Sequence, residues 1–212
     1  MIFSKDIAFK TAEYLLQIKA IKLNITNPFQ WASGWKSPIY CDNRAILSYP
    51  KVRNFIIQSL SELINKKFNQ VDAISGVATG AIAHGVLVSQ NLNKPFSYVR
   101  VSAKSHGLQN HIEGHLENNH RVLIVEDLIS TGQSSLNALA AIRENGNKVI
   151  GMAAIFTYDF GLSRENFQNN NCQLFTLCDY PTLLEYANIN GLISKSELSV
   201  LEEWNRNPKD WA

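Results

Sequence analysis

Two adjacent carboxylates, Glu126 and Asp127, follow a run of apolar residues and precede a short turn of hydroxyl residues around Gly132. Valine, isoleucine and leucine without polar alternation predict a strand over 121–127 that is buried on both faces of a parallel sheet. The loop after such a strand lies at the carboxyl edge of the sheet, where open α/β sheets bind ligands. Acids beside hydroxyl and backbone N–H groups suit a ligand with sugar hydroxyls at one end and phosphate at the other.

The same residues also fit a less specific interpretation. Paired acids at the end of a strand are often a solvated loop, and Ser, Thr and Gly before a helix are common capping residues. Charged groups with perturbed pKa values do gather at functional sites, so the two acids alone leave both interpretations open. The complete block is more specific. A hydrophobic strand, two acids and a Thr-Gly turn resemble the phosphoribosyl pyrophosphate (PRPP) motif of the type I phosphoribosyltransferases.

The turn at 130–134 opens a predicted helix, whose first N–H groups lack intrahelical partners and can face an anion. This turn would hold a 5′-phosphate, and the two acids would accept hydrogen bonds from ribose hydroxyls and stabilise positive charge on the sugar. Neither a Walker A loop nor a Gly-x-Gly-x-x-Gly segment occurs, which argues against a nucleoside triphosphatase and a dinucleotide oxidoreductase. The PRPP-binding residues that the motif implies here are Glu126, Asp127, Leu128, Ile129, Ser130, Thr131, Gly132, Gln133 and Ser134.

Three potential cations, Arg100, Lys104 and His106, follow a predicted strand. Each alone fits a solvated loop, but a connection of this length inside a compact α/β domain is often a lid. The Arg-x-x-x-Lys-x-His spacing resembles the mobile loop of the orotate phosphoribosyltransferases. The resemblance implies that all three bind PRPP, and that Lys104, His106 and Asp127 are catalytic. It also implies a homodimer in which the loop at 100–115 reaches the partner's site.

Residues 33–40, Ser-Gly-Trp-Lys-Ser-Pro-Ile-Tyr, form a third block that resembles the N-terminal signature of the same family. An aromatic-rich hairpin packed on the core would also explain its Trp and Tyr residues. The resemblance implies orotate contacts from Lys36, Tyr40 and Ser130. Ala32 and Val101 stand where some members carry lysine, so those two basic contacts are lost or replaced in this chain.

Weaker signals lie elsewhere. Small residues at 75–81 match the position of the family's pyrophosphate loop, although a plain strand-to-helix turn explains them equally. Residues 156–159 are expected near the base, or in the core. Four histidines are interpreted as surface or capping residues rather than metal ligands, because no ligand spacing recurs around them: His84, His111, His115 and His120. The cofactor that the resemblance implies is Mg²⁺, bound through PRPP and with Asp127 as the candidate protein ligand.

The order of the predicted elements favours an α/β protein with a mainly parallel central sheet flanked by helices, which the resemblance identifies as the type I phosphoribosyltransferase fold. Strands are predicted at 71–77, 95–101, 121–127, 148–158 and 173–178. Helices are predicted at 4–20, 48–68, 82–90, 134–144, 181–189 and 194–206. Residues 102–120 carry no regular pattern. The chain is expected to be one domain over 1–212, with 1–45 and part of the C-terminus forming a small cap (hood) over the site.

The composition indicates a globular protein that binds any anionic ligand at a local site, because its net charge is small. The 212 residues are 45% hydrophobic and 18% charged, and a chain of this length buries about 70% of its unfolded surface. A net charge of +2 argues against a nucleic-acid partner, which would require a concentrated basic face. Three cysteines without metal spacing fit a reducing compartment. Without a signal-like start or an apolar run of about 18 residues, the chain is expected to be cytoplasmic, with no membrane partner.

The four blocks in this order resemble the orotate phosphoribosyltransferases over essentially the whole chain. That family transfers ribose 5-phosphate from PRPP to orotate, giving orotidine 5′-monophosphate and pyrophosphate in the de novo synthesis of UMP. Two alternatives stay open at this point. One is a phosphoribosyltransferase for another nucleobase, and the other is a non-catalytic regulator that binds PRPP on the same fold.

Overall fold

The computed structural model describes residues 1–31, 34–100 and 111–211. In chain order its elements are α1 (Lys5–Gln17), β1 (Ile21–Leu23), β2 (Phe29–Gln30), β3 (Lys36–Ser37), β4 (Ile39–Cys41), a 3-10 helix (Asn43–Ser48), α2 (Pro50–Lys67), β5 (Ala73–Val77), α3 (Ala81–Leu92), β6 (Phe96–Val99), β7 (Ile112–Gly114), β8 (Arg121–Ile129), α4 (Gln133–Glu144), β9 (Lys148–Thr157), α5 (Gly161–Asn169), β10 (Leu174–Asp179), α6 (Tyr180–Ile189) and α7 (Lys195–Arg206).

The central sheet has six strands in the order β10-β9-β8-β5-β6-β7. Every neighbouring pair is parallel except β6 and β7, which is antiparallel and closes one edge. Parallel neighbours require crossover connections, and helices supply them between successive strands. The predicted α/β class with a mainly parallel sheet is confirmed.

Both faces of the sheet are covered, which explains why β8 lacks polar alternation. Leu123 and Val125 belong to a core cluster with α1, α2 and α6, whereas Val122 and Ile124 belong to a second cluster with α4 and α5. Since successive side chains of a strand point to opposite faces, a strand between two helical layers must be apolar at nearly every position. Because β8 is the third of the six strands, its carboxyl end lies near the middle of the sheet edge.

The structure differs from the sequence predictions at three elements. Strand β7 lies within the stretch that was predicted to have no regular structure, because three residues are too short for a period to show. Helix α5 was missed because it is polar, with Ser163 and Phe167 its buried residues. Strand β8 continues to Ile129, since β9 provides a parallel partner as far as Thr157. Asp127, the last residue of the predicted strand, is therefore followed by two further residues of β8.

The N-terminal strands form two short antiparallel pairs, β1 with β4 and β2 with β3. Helix α7 contacts the second pair, because Trp204 Nε1 donates a hydrogen bond of 3.2 Å to the carbonyl oxygen of Lys36. The rings of Trp31, Tyr158 and Phe160 pack around Trp204. An aromatic cluster thus connects the N-terminal strands to the end of β9 and to the C-terminal helix.

Two further properties concern the described ranges as a whole. None of the helices there is long and apolar enough to cross a membrane. Cys41, Cys172 and Cys178 are all thiols in the described structure.

Candidate functional site

The acid pair lies where β8 extends beyond β5. The last paired residues of these two strands are Gly76 and Val125, so the next residues of β8 have no strand on that side. Glu126 is only 5% exposed, and its Oε2 accepts a hydrogen bond of 2.8 Å from Ser135 Oγ. Its Oε1 accepts a hydrogen bond of 3.0 Å from the backbone N–H of Asp127. A solvated loop therefore does not describe Glu126.

Burial raises the pKa of Glu126 well above its usual range, and the negative charge of Asp127 raises it further. The hydrogen bond from Ser135 opposes this shift because it favours the ionised carboxylate. Both Glu126 oxygens already have partners on the neighbouring residue and on α4. Glu126 consequently orients the Asp127 backbone, while Asp127 is the more exposed of the two acids that line the cavity.

Two adjoining cavities meet at this edge of the sheet. The first, of about 400 Å³, is lined by the acid pair, by the turn after β5 and by residues that follow β4: Cys41, Asp42, Arg44, Val77, Ala78, Thr79, Gly80, Glu126, Asp127, Leu128 and Ser134. The second, of about 370 Å³, is mainly apolar and is called the aromatic cavity because it contains three aromatic side chains; it is lined by Gln30, Trp31, Tyr40, Cys41, Leu128, Ser130 and Tyr158. Cys41 and Leu128 line both, so the two cavities are neighbours, and together they are called the cleft. The polar cavity suits a sugar phosphate, and the aromatic cavity suits a planar base.

The described lining of the polar cavity carries more negative than positive charge. It contains three carboxyl groups, on Asp42, Glu126 and Asp127, and Arg44 is the one cation among its described lining residues. Arg44 binds Asp42 through Nε–Oδ1 and Nη2–Oδ2 contacts of 2.6 and 2.9 Å. This bidentate pair lowers the pKa of Asp42 and raises that of Arg44. A polyphosphate can occupy this cavity only together with additional cations.

The turn before α4 has the geometry of an anion site. Gly132 adopts the left-handed conformation, with φ of 83°, which favours glycine. A Cβ at this position would also come within 2.7 Å of the Phe167 ring. No described side chain caps the first turn of α4, and Ser134 in that turn lines the polar cavity together with the acid pair. The 5′-phosphate site at this turn stays a prediction.

The structure brings together only some of the other predicted site residues. Tyr40, which is 39% exposed, lines the aromatic cavity with Ser130. Lys36 is exposed and pairs with Gln30 across β2 and β3, but it lines neither cavity. Arg100 follows β6, and its Nη1 lies 3.5 Å from Glu113 Oε1. Four residues named above fall outside the described residues: Ala32, Val101, Lys104 and His106.

The sequence analysis missed one residue of this region and misinterpreted another. Arg44 was not singled out, although it closely follows the 33–40 block and its position at the cavity depends on the turn after β4. His84 was interpreted as a surface or capping residue, which is wrong, because it is fully buried in α3. Burial lowers the pKa of His84, which keeps its imidazole neutral. Among the described residues, no group of three or more His, Cys, Asp or Glu side chains could by itself hold a metal ion.

Comparison with known proteins gives consistent matches. The family model for the phosphoribosyl transferase domain matches residues 43–174. The orotate phosphoribosyltransferase of Phocaeicola vulgatus is 54% identical over 200 residues, which cover 94% of this chain and 94% of the relative. That of Cytophaga hutchinsonii is 44% identical over 211 residues, covering 100% and 99%. The crystal structure of orotate phosphoribosyltransferase from Aeropyrum pernix matches with a TM-score of 0.75 at 26% identity, covering 86% of this chain and 99% of that chain.

Proposed function

Because the chain belongs to the phosphoribosyl transferase domain family and, within it, to the orotate phosphoribosyltransferases, we propose that it transfers ribose 5-phosphate from PRPP to orotate. The products are orotidine 5′-monophosphate and pyrophosphate, and the reaction serves pyrimidine biosynthesis. The observation that best supports this proposal is the pair of neighbouring cavities, a polar one at Asp127 and an aromatic one at Tyr40 and Tyr158.

The chemistry requires no nucleophilic side chain. Orotate N1 forms the new bond to C1 of the ribose and releases its proton to water, while the C1–O bond to pyrophosphate breaks and its electron pair leaves with the pyrophosphate. Positive charge develops on the sugar, and the Asp127 carboxylate stabilises it electrostatically. Ser130 lines the aromatic cavity at the end of the phosphate turn, so it contacts both the phosphoribosyl group and orotate. We assign the contacts with the base to Tyr40 on β4 and to Lys36 on β3.

The departing pyrophosphate requires positive charge, which we assign to Arg100, Lys104 and His106. These residues would close over the site of the partner subunit in a homodimer, through the loop at 100–115. The excess of carboxyl groups around the polar cavity supports this assignment, because Arg44 alone among its described lining residues is cationic. Closure would also exclude water from the reacting ribose.

The donor set of the cleft fits Mg²⁺. This cation prefers oxygen ligands and usually combines one or two carboxylates with substrate phosphates and water. Asp127 offers such a carboxylate, and the described residues form no complete metal cage, so most of the ligands would come from PRPP. When bound, Mg²⁺ neutralises phosphate charge and orients the leaving group.

We also propose that residues 1–45 and the C-terminal helix form a cap over the cleft, within one domain in the cytoplasm. The hydrogen bond from Trp204 to Lys36 supports the cap, since it attaches α7 to the strand pair β2–β3. A second hydrogen bond, from Trp31 Nε1 to the carbonyl oxygen of Ile39, connects that pair to β4 at 3.2 Å.

The proposed function is tested by following pyrophosphate release from PRPP with orotate, uracil, adenine or hypoxanthine as the acceptor. We expect turnover with orotate and Mg²⁺, and its loss when the metal is chelated. Release with a purine or uracil but not with orotate would assign the chain to another base. PRPP binding without release with any base would instead identify a non-catalytic regulator.

Gly80→Ala is expected to raise KM for PRPP by about tenfold or more, because the Asp127 carboxylate has to move. A Cβ at Gly80 would lie 2.4 Å from Asp127 Oδ2, although the backbone φ of −60° is accessible to alanine. Steady-state kinetics measure the effect. The matched control is Gly161→Ala, whose Cβ would meet its nearest neighbour at 4.0 Å. An unchanged KM for Gly80→Ala would contradict the packing of Asp127 on this turn.

A further inference from the structure

A buried histidine lies directly behind the acid pair. His84 has no exposed surface, and its Nε2 lies 3.3 Å from the backbone carbonyl oxygen of Asn43. Since a carbonyl only accepts hydrogen bonds, Nε2 carries the proton and Nδ1 is left as an acceptor. Nδ1 is buried with no hydrogen-bond partner among the described residues. A buried polar atom without a partner is unfavourable for folding. The useful interaction of this histidine is therefore the hydrogen bond that its Nε2 donates.

Asn43 connects this histidine to Asp127. The side-chain Nδ2 of Asn43 donates a hydrogen bond of 2.6 Å to the backbone carbonyl oxygen of Asp127, across 84 positions of the chain. Asp127 has no β5 partner at this level, because that strand ends its pairing at Gly76. The backbone N–H of Asp127 is bound by Glu126 Oε1. Side chains therefore bind both backbone polar groups of Asp127 where β5 is absent, while β9 pairs with β8 on the other side at Glu126 and Leu128.

Helix α3, which contains His84, also supports the Asp127 side chain. The Asp127 carboxylate packs against Gly80, the residue before the first turn of α3, and His84 lies one turn further along that helix. The start of α3 thus contacts the carboxylate directly and reaches the Asp127 backbone through Asn43. Displacing Asn43 would leave the Asp127 carbonyl without its partner and alter the angle at which the carboxylate meets the ribose.

We propose that His84 and Asn43 are coupled positioning residues, which hold the Asp127 carboxylate in register with the ribose and pyrophosphate without touching substrate. The inference rests on the proposed function. It adds that the acid pair is placed by a relay from α3, through Nε2 of His84 and Nδ2 of Asn43, and not by the strand alone.

The variants test the Nε2 donor separately from the volume of the ring. His84→Gln retains an amide N–H near the Nε2 position, whereas His84→Asn places it near Nδ1 and His84→Leu removes it. We expect His84→Leu and His84→Asn to lower kcat by about 10²-fold, because a misplacement of about 1 Å can have that effect. His84→Gln should retain kcat within about threefold, and KM for orotate should stay within about twofold in all three variants.

A double-mutant cycle with Asn43→Ala tests the coupling. If the two residues act as one unit, the double variant His84→Leu/Asn43→Ala is expected to lose no more kcat than the worse single variant. Additive losses would overturn the relay, and equal losses in the Gln and Leu variants would overturn the role of Nε2. His120→Leu is the matched control, because His120 Nδ1 is also buried without a partner in the described part of the chain, but it lies before the opposite end of β8.

Calorimetric titration with Mg²⁺ and PRPP provides a readout that does not depend on turnover. His84→Leu and Asn43→Ala are expected to weaken PRPP binding, and His84→Gln to retain it. Thermal unfolding of each variant identifies any that fail to fold. If His84→Leu does not fold, the comparison of His84→Gln with His84→Asn tests the role of Nε2. If the wild-type protein bound PRPP but released no pyrophosphate with orotate, the proposed function would fail. The PRPP titrations of the His84 and Asn43 variants would still test whether these residues position Asp127.

Discussion

Asp127→Asn is expected to lower kcat for orotate by about 10²- to 10³-fold, the range that follows removal of one preorganised electrostatic partner of a transition state. The substitution retains the size of the side chain, which packs against Gly80, and leaves the backbone bonds to Glu126 and Asn43 in place. An amide cannot stabilise positive charge on the ribose as a carboxylate does. Its carbonyl oxygen is also a weaker ligand for Mg²⁺, so more metal should be needed for half-maximal rate.

Single-turnover and steady-state kinetics, with a Mg²⁺ titration, measure this effect. Asp72→Asn is the matched control, because Asp72 binds Arg121 near the opposite end of β8 through Nη2–Oδ1 and Nε–Oδ2 contacts of 2.7 and 2.8 Å. The control is expected to lose some stability and to retain kcat. If Asp127→Asn turned over orotate at the wild-type rate, the acid pair would have no catalytic role.

Trp204→Ala is expected to lower the free energy of unfolding by about 3–5 kcal/mol, the usual cost of removing a large aromatic side chain from a core. Trp204 is 1% exposed, and its ring contacts Trp31 and Tyr158 with centroid distances of 5.7 and 5.8 Å. Both partners line the aromatic cavity, so the truncation should also raise KM for orotate. The hydrogen bond to the Lys36 carbonyl is lost at the same time.

Urea unfolding compares Trp204→Ala with Trp204→Phe. The Phe variant retains a six-membered ring but loses the Nε1 donor and part of the indole volume, so its loss should exceed about 1 kcal/mol and stay below that of the Ala variant. Leu192→Ala, at an exposed position, is expected to stay within about 0.5 kcal/mol of the wild type. A small effect of Trp204→Ala, with unchanged KM for orotate, would show that α7 does not support the cap.

Local patterns in the sequence were sufficient to predict the central strand and the class of fold. The uninterrupted apolar run before Glu126 predicted a strand covered on both faces, and the structure confirms it with two core clusters on opposite sides of β8. The order of the four blocks was sufficient for the family resemblance, which the comparisons confirm. These inferences succeeded because hydrophobic period and motif order are properties of neighbouring residues.

Those patterns could not predict which residues surround the acid pair. Sequence spacing could not show that Glu126 is buried, that Arg44 lines the polar cavity, or that Asn43 binds the Asp127 backbone across 84 positions. His84 was interpreted as a surface or capping residue because no ligand spacing recurs around it, yet it is buried in α3. The chain by itself determined which residues have the chemistry of a phosphoribosyl site. Only the tertiary structure decided which of them meet, because contacts between distant segments depend on how helices pack on the sheet and leave no local period.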